Sequence, residues 1–182
     1  LGNSNRGVRA ESGTNNTIGG SAAGTGNIIA GNGAENIFLD VRTRGWTVAG
    51  NYIGVGANGL TNFPLLFGTP GLLLHGSDHV VGGTTPAERN VIAGASQTGL
   101  YIYYATNTTV QGNWIGLGGD GTTYIGNGTN ANAHGMRISL GPVIRLVTHL
   151  DVDRADMDAF ADAVGEFFAT YRSAATRAAV HA

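Results

Sequence analysis

Glu11, Asp40, His75 and Tyr103 recur at intervals of about 30 residues, each directly after an apolar-X-apolar triplet. A carboxylate beside an imidazole raises the charged fraction of the ring or orients its tautomer. A phenol adds a further proton donor, so these four types, brought together, are equipped for general acid–base work. Arg9 and Arg137 occupy the middle of the first and last triplets. A guanidinium recognises carboxylates through two parallel hydrogen bonds, as on uronic acids. Tyr52, Tyr101, Tyr103, Tyr104 and Trp114 supply rings on which sugars stack, although aromatics are also ordinary strand formers.

The elements that must position these groups are repeated. Gly7-Val8-Arg9-Ala10, Gly71-Leu72-Leu73-Leu74 and Gly135-Met136-Arg137-Ile138 are one phrase written three times at a spacing of about 64 residues. Asn27-Ile28-Ile29-Ala30-Gly31 returns as Asn90-Val91-Ile92-Ala93-Gly94, and Thr47-Val48-Ala49-Gly50-Asn51-Tyr52-Ile53-Gly54 as Thr109-Val110-Gln111-Gly112-Asn113-Trp114-Ile115-Gly116. Two kinds of rung therefore alternate. Aligned as strands, Val8, Ile37, Leu72, Leu100 and Met136 form one inward row, and Ala10, Leu39, Leu74, Ile102 and Ile138 the next. The outward rows are Arg9, Phe38, Leu73, Tyr101, Arg137 and Glu11, Asp40, His75, Tyr103, Ser139.

A second short strand follows near Ile18, Val48, Val81 and Val110, and a third begins at Asn27, Asn51, Asn90 and Asn113. Three strands per rung imply a coil with three faces. Asn at those last corners suits a turn with positive φ, and stacked Asn side chains can bond one another along the coil.

This arrangement, with the phrases "NTIGG", "GNIIAGN" and "GNYIG", resembles the right-handed parallel β-helix repeat family of pectate-lyase-like proteins over residues 1–140. The expected fold is all-β, a right-handed parallel β-helix of about five coils, followed by a C-terminal amphipathic α-helix. The resemblance implies an extracellular or cell-surface setting and a polysaccharide partner. The first residues carry neither the basic region nor the apolar core of a signal peptide.

After Leu140 the vocabulary changes, and residues 141–182 form a second segment. Val143 to Val152 reads as strand, with Val143 to Leu146 supplying the second strand of the fifth rung. From Arg154 a helix follows, capped by Asp153 and striped by Met157, Phe160, Val164, Phe167, Phe168 and Tyr171. "IRLVTHLDVDRADMD" resembles the C-terminal end of low-specificity L-threonine aldolases, which use pyridoxal phosphate. In that family the counterpart of Arg145 holds the substrate carboxylate. This chain contains no lysine, so it has no Schiff-base residue of its own, and no cofactor is expected. The tail is expected to cap the open coil end, and the join to reflect a fusion or cloning event.

Composition narrows the partners. A formal charge of −2 gives no footprint for nucleic acid or an anionic membrane, and no apolar run approaches a membrane span. Absence of cysteine excludes disulfide and thiolate metal sites. His75-Gly76-Ser77-Asp78-His79 has ligand types, but on a strand end and turn it reads as a solvated loop, and no metal is expected. The apolar loop from Leu60 to Pro70 is expected to pack over one coil face.

Three functions stay open. The first is a non-catalytic β-helix module presenting a surface for glycans or for self-association through the open coil end. The second is a polysaccharide lyase or glycoside hydrolase acting on the Glu11/Asp40/His75/Tyr103 face, with Arg9, Arg137, Tyr101 and Trp114 binding substrate. The third is a chimeric product with incidental activity.

Overall fold

A computed structural model describes residues 2–65, 67–128, 134–139 and 144–146. The chain divides into two compact units, Leu1–Val147 and Thr148–Ala182. The expected C-terminal helix, its capping role and the last strand of the fifth rung lie outside the described residues.

Strands follow one another in threes. The first turn of chain carries β1 (Val8–Thr14), β2 (Thr17–Gly19) and β3 (Ile28–Ile29), and the second β4 (Ile37–Arg44), β5 (Thr47–Ala49) and β6 (Tyr52–Ile53). The third carries β7 (Leu72–Leu74), β8 (Val80–Gly82) and β9 (Val91–Ile92). The fourth carries β10 (Thr98–Tyr103), β11 (Thr108–Gln111) and β12 (Trp114–Ile115), after which come β13 (His134–Ser139) and β14 (Ile144–Leu146). They assemble into three sheets, ordered β1-β4-β7-β10-β13, β2-β5-β8-β11-β14 and β3-β6-β9-β12.

Every strand pairing within these sheets is parallel. The chain visits the three sheets in rotation, as a β-helix-like coil requires. The short 3-10 turn Pro86–Glu88 is the helical element among the described residues.

Alternation of side chains places one apolar row of each sheet inside. The register expected for the first sheet is observed, with Val8, Ile37, Leu72, Leu100 and Met136 in line, and Ala10, Leu39, Leu74, Ile102 and Ile138 beside them. Ile37, Leu39, Leu72, Leu74, Leu100 and Ile102 are fully buried and pack with Val48, Val81, Ile53 and Ile92 from the other two sheets into one core. Burying one such side chain is worth about 1.5–3 kcal/mol, so the stacked rows are the main source of cohesion. β14 aligns Ile144 with Thr108 and Leu146 with Val110.

Two of the three corners of each turn use different chemistry. Between the second and third sheets, the Asn27 amide donates to Asn51 Oδ1 (3.0 Å), Asn51 to Asn90 Oδ1 (3.0 Å) and Asn90 to Asn113 Oδ1 (2.9 Å). The expected positive φ is not found at these asparagines. In the second turn it falls on the preceding Gly50, φ 70°, which leaves the Asn side chain free to point inward and join the ladder. Between the first and second sheets Asn15, Gly45, Asp78 and Asn107, one in each turn, are left-handed, φ 51–65°. That is where the tolerance of Asn and Asp for this region is used.

The loop from Leu60 to Pro70 meets expectation in part. Its backbone lies against the first turn, the Gly31 amide donating to the Phe63 carbonyl at 3.3 Å and the Phe67 amide to the Gly33 carbonyl at 3.1 Å, and Leu65 is buried. The side chains of Leu60, Phe63 and Phe67 stay exposed. Leu60 sits in a small hairpin, in which Val55 and Asn62 form an antiparallel bridge and Asn58 Oδ1 accepts the Leu60 and Thr61 amides. Leu117–Tyr124 repeats this hairpin, with Asp120 in place of Asn58.

Candidate functional site

The outward side of the first sheet carries a connected strip of rings. Arg9, Phe38, Leu73, Tyr101 and Arg137 are in register across β1, β4, β7, β10 and β13. His75, one residue past β7, meets Phe38 at 5.5 Å between ring centroids and Tyr103 at 5.1 Å, perpendicular to the latter. Tyr103 in turn meets Tyr101 at 5.3 Å and Tyr104 at 4.6 Å. The Tyr101 hydroxyl and Ser139 Oγ are hydrogen-bonded at 2.8 Å, and the Arg137 guanidinium lies 5.0 Å from the centre of the Tyr101 ring.

Two residues absent from the sequence-based candidates complete one end of the strip. Arg6 lies 4.4 Å from the Phe38 ring centre and donates to Glu35 at 2.7 Å; Glu35 is buried. Both precede a strand, in segments without the repeat's alternation, so the sequence carried no signal for them.

The acid–imidazole–phenol row resolves into unequal parts. His75 and Tyr103 touch. Asp40 hydrogen-bonds to the amide of Val41 at 2.6 Å, and no hydrogen bond or ion pair joins it to His75. Partial burial pushes the His75 pKa below its ordinary value, while the negative charges of Asp40 and then Glu35 pull it up. Glu11 is exposed and paired with Arg9 at 3.2 Å.

The row is also irregular in register. Ala10 faces Leu39 but Ser12 faces Arg42, so a bulge at Asp40 and Val41 breaks the row beside Glu11.

The aromatic candidates also divide by sheet. Tyr52 and Trp114 are in register with Ile28 and Val91 on the outward side of the third sheet. There Arg89 lies 4.3 Å from the Trp114 ring centre. Trp114 therefore shares no platform with Tyr101 and Tyr103. A cleft of about 420 Å³ beside Tyr52, one of about 260 Å³ beside Leu65 and one of about 510 Å³ beside Phe63 are lined by none of Glu11, Asp40, His75 or Tyr103.

Below the strip, at the first corner, His79 is fully buried. Its Nδ1 accepts the Trp46 amide at 3.1 Å, which leaves the proton on Nε2, where it faces the His75 carbonyl at 2.8 Å and Thr43 Oγ1 at 3.3 Å. Burial lowers its pKa; the His75 carbonyl bond and then the Asp78 charge oppose this more weakly. Asp78 is held by Asn107, Ser77 and Arg44. With these partners taken, the His75/Asp78/His79 stretch is a structural corner. Among the described residues no group of three or more His, Asp or Glu is placed to hold a metal ion, and no helix is long and apolar enough to cross a membrane.

No protein-family model, curated protein or solved structure matches the chain.

Proposed function

We propose that this chain is a right-handed parallel β-helix, pectate-lyase-like in architecture and extracellular in setting, that binds a polysaccharide along its first sheet without cleaving it. The observation that carries this reading is the run of rings Phe38, His75, Tyr103, Tyr101 and Tyr104, with guanidinium groups over Phe38 and Tyr101. Rings on the outward side of a sheet offer apolar surface to sugar C–H groups, and their hydroxyls and the arginines offer hydrogen bonds. Glu11 is engaged by Arg9 and Asp40 by the Val41 amide, which favours binding over hydrolysis, a reaction that ordinarily uses two carboxylates flanking one bond.

The test is affinity electrophoresis of the purified protein against a panel of neutral and uronic polysaccharides. Tyr103→Ala is expected to weaken binding about three- to tenfold, the worth of one stacked ring. Failure of every polysaccharide to retard the protein, or equal retardation of the variant, removes this function.

One observation favours the enzymatic alternative. Burial lowers the His75 pKa against the pull of Asp40 and Glu35, and the ring lies against Tyr103, an imidazole–phenol contact of the kind general acid–base work uses. Assay of Asp40→Ala and His75→Ala for cleavage of the same panel separates the readings, since wild-type cleavage lost in His75→Ala would put the lyase or hydrolase ahead. The aldolase-like vocabulary of residues 141–182 we read as the mark of a fusion. One ancestral reading frame shared by related genes at the source locus would argue against it.

A further inference from the structure

We infer that His79 is a proton-sensitive positioning residue for the aromatic strip: its neutral ring holds the backbones of His75 and Asp40 in place, and its protonation loosens them and releases ligand. This rests on the reading of the strip as a binding face.

The wiring is specific. Nε2–H donates to the carbonyl of His75 and also lies within reach of Thr43 Oγ1, whose hydroxyl donates to the carbonyl of Asp40 at 2.6 Å. Nδ1 accepts from the backbone of Trp46, the residue before β5. One buried ring thus ties the chain after β7 to the bulge of β4 and to the corner before β5.

A second proton must go onto Nδ1, the nitrogen that accepts the Trp46 amide. Two N–H donors would then face each other with no acceptor between them.

The charged and titratable surroundings do not relieve this. Asp78 adjoins the ring and favours the proton, but it is already engaged by Arg44 from β4 and Asn107 from the β11 corner. His75 faces the ring through its carbonyl, and Thr43 and Trp46 bring no charge. The proton is therefore accommodated by opening the corner, where the ring reaches water.

The probe is an oligomer of galacturonic acid, titrated calorimetrically at about pH 7.5 and pH 5.0. The Trp46 amide and the His75 and Tyr103 ring resonances of the free protein are followed by NMR over the same range. His79→Gln keeps a carbonyl acceptor and an N–H donor but cannot titrate.

Wild-type affinity is expected to fall about tenfold at the lower pH, with the Trp46 amide and strip resonances shifting together while circular dichroism is unchanged. His79→Gln is expected to bind equally at both values, and His75→Gln to keep the wild-type ratio whatever its affinity. Equal pH dependence in His79→Gln, or a Trp46 amide that stays still until global unfolding, overturns the inference. If wild type ignores the probe and the rest of the panel at pH 7.5, the binding function fails instead, and the NMR titration alone decides the role of His79. It also decides if His79→Gln does not fold.

Discussion

Tyr104 shows how far a single residue departs from the rule of its neighbours. It stands two residues past Ile102 as Gly76 stands two past Leu74, the residue paired with Ile102, and both are left-handed, with φ 53° and 81°. Glycine takes that conformation without penalty, whereas a tyrosine pays about 1–2 kcal/mol. The ring it projects is exposed and packs on Tyr103. Tyr104→Gly is therefore expected to raise stability by about 1 kcal/mol in urea unfolding while weakening polysaccharide binding; a destabilised variant would show that the ring contact outweighs the strain. His79 has the opposite logic, a buried group that resists its proton. Its folded pKa lies below the ordinary value of about 6.5, so the unfolded chain takes up a proton that the fold refuses. Its contribution is complete above that value and falls as pH drops through it toward the folded pKa. The urea midpoint is expected to be lower at about pH 5 than at pH 7.5, with the difference reduced in His79→Gln.

Among the elements, the asparagine ladder ties successive turns most directly. Asn90 is fully buried, donates to Asn113 Oδ1 and the Val48 carbonyl, and accepts from both the backbone and side-chain amides of Asn51. Asn90→Ala leaves these partners buried and unpaired, at a cost of about 2–4 kcal/mol. A double-mutant cycle with Asn51→Ala is expected to give clear coupling, and additive losses would show that each asparagine serves only its own turn. The ladder was legible as a row of equivalent asparagines, since a period in the chain becomes a stack in a parallel sheet. The corner that needs left-handed residues was assigned wrongly, because an Asn does not reveal whether its backbone or its side chain makes the turn. Register was legible through Ala10 and lost beside Glu11, because a bulge changes the count without changing the apolar pattern.

For the molecule as a whole, stacked turns make stability a sum of contacts between neighbours. Leu74→Ala, in the fully buried row of β7, is expected to cost about 2–5 kcal/mol and to lower protection from hydrogen exchange in β4 and β10 as well. Loss confined to β7 would mean that the turns act independently.

The sequence by itself determined the three-strand turn, the inward rows and the in-line stacking of Arg9, Phe38, Leu73, Tyr101 and Arg137. Alternation and repeat length are local properties, and in a parallel stack they translate directly into neighbours. Only the tertiary structure decided which outward groups meet. It left Asp40 without a hydrogen bond to His75, sent Tyr52 and Trp114 to another sheet, and brought Arg6 and Glu35 to the end of the strip. Those outcomes depend on a one-residue bulge, on corner conformations and on side-chain directions. None of these alters the periodicity from which a sequence is read.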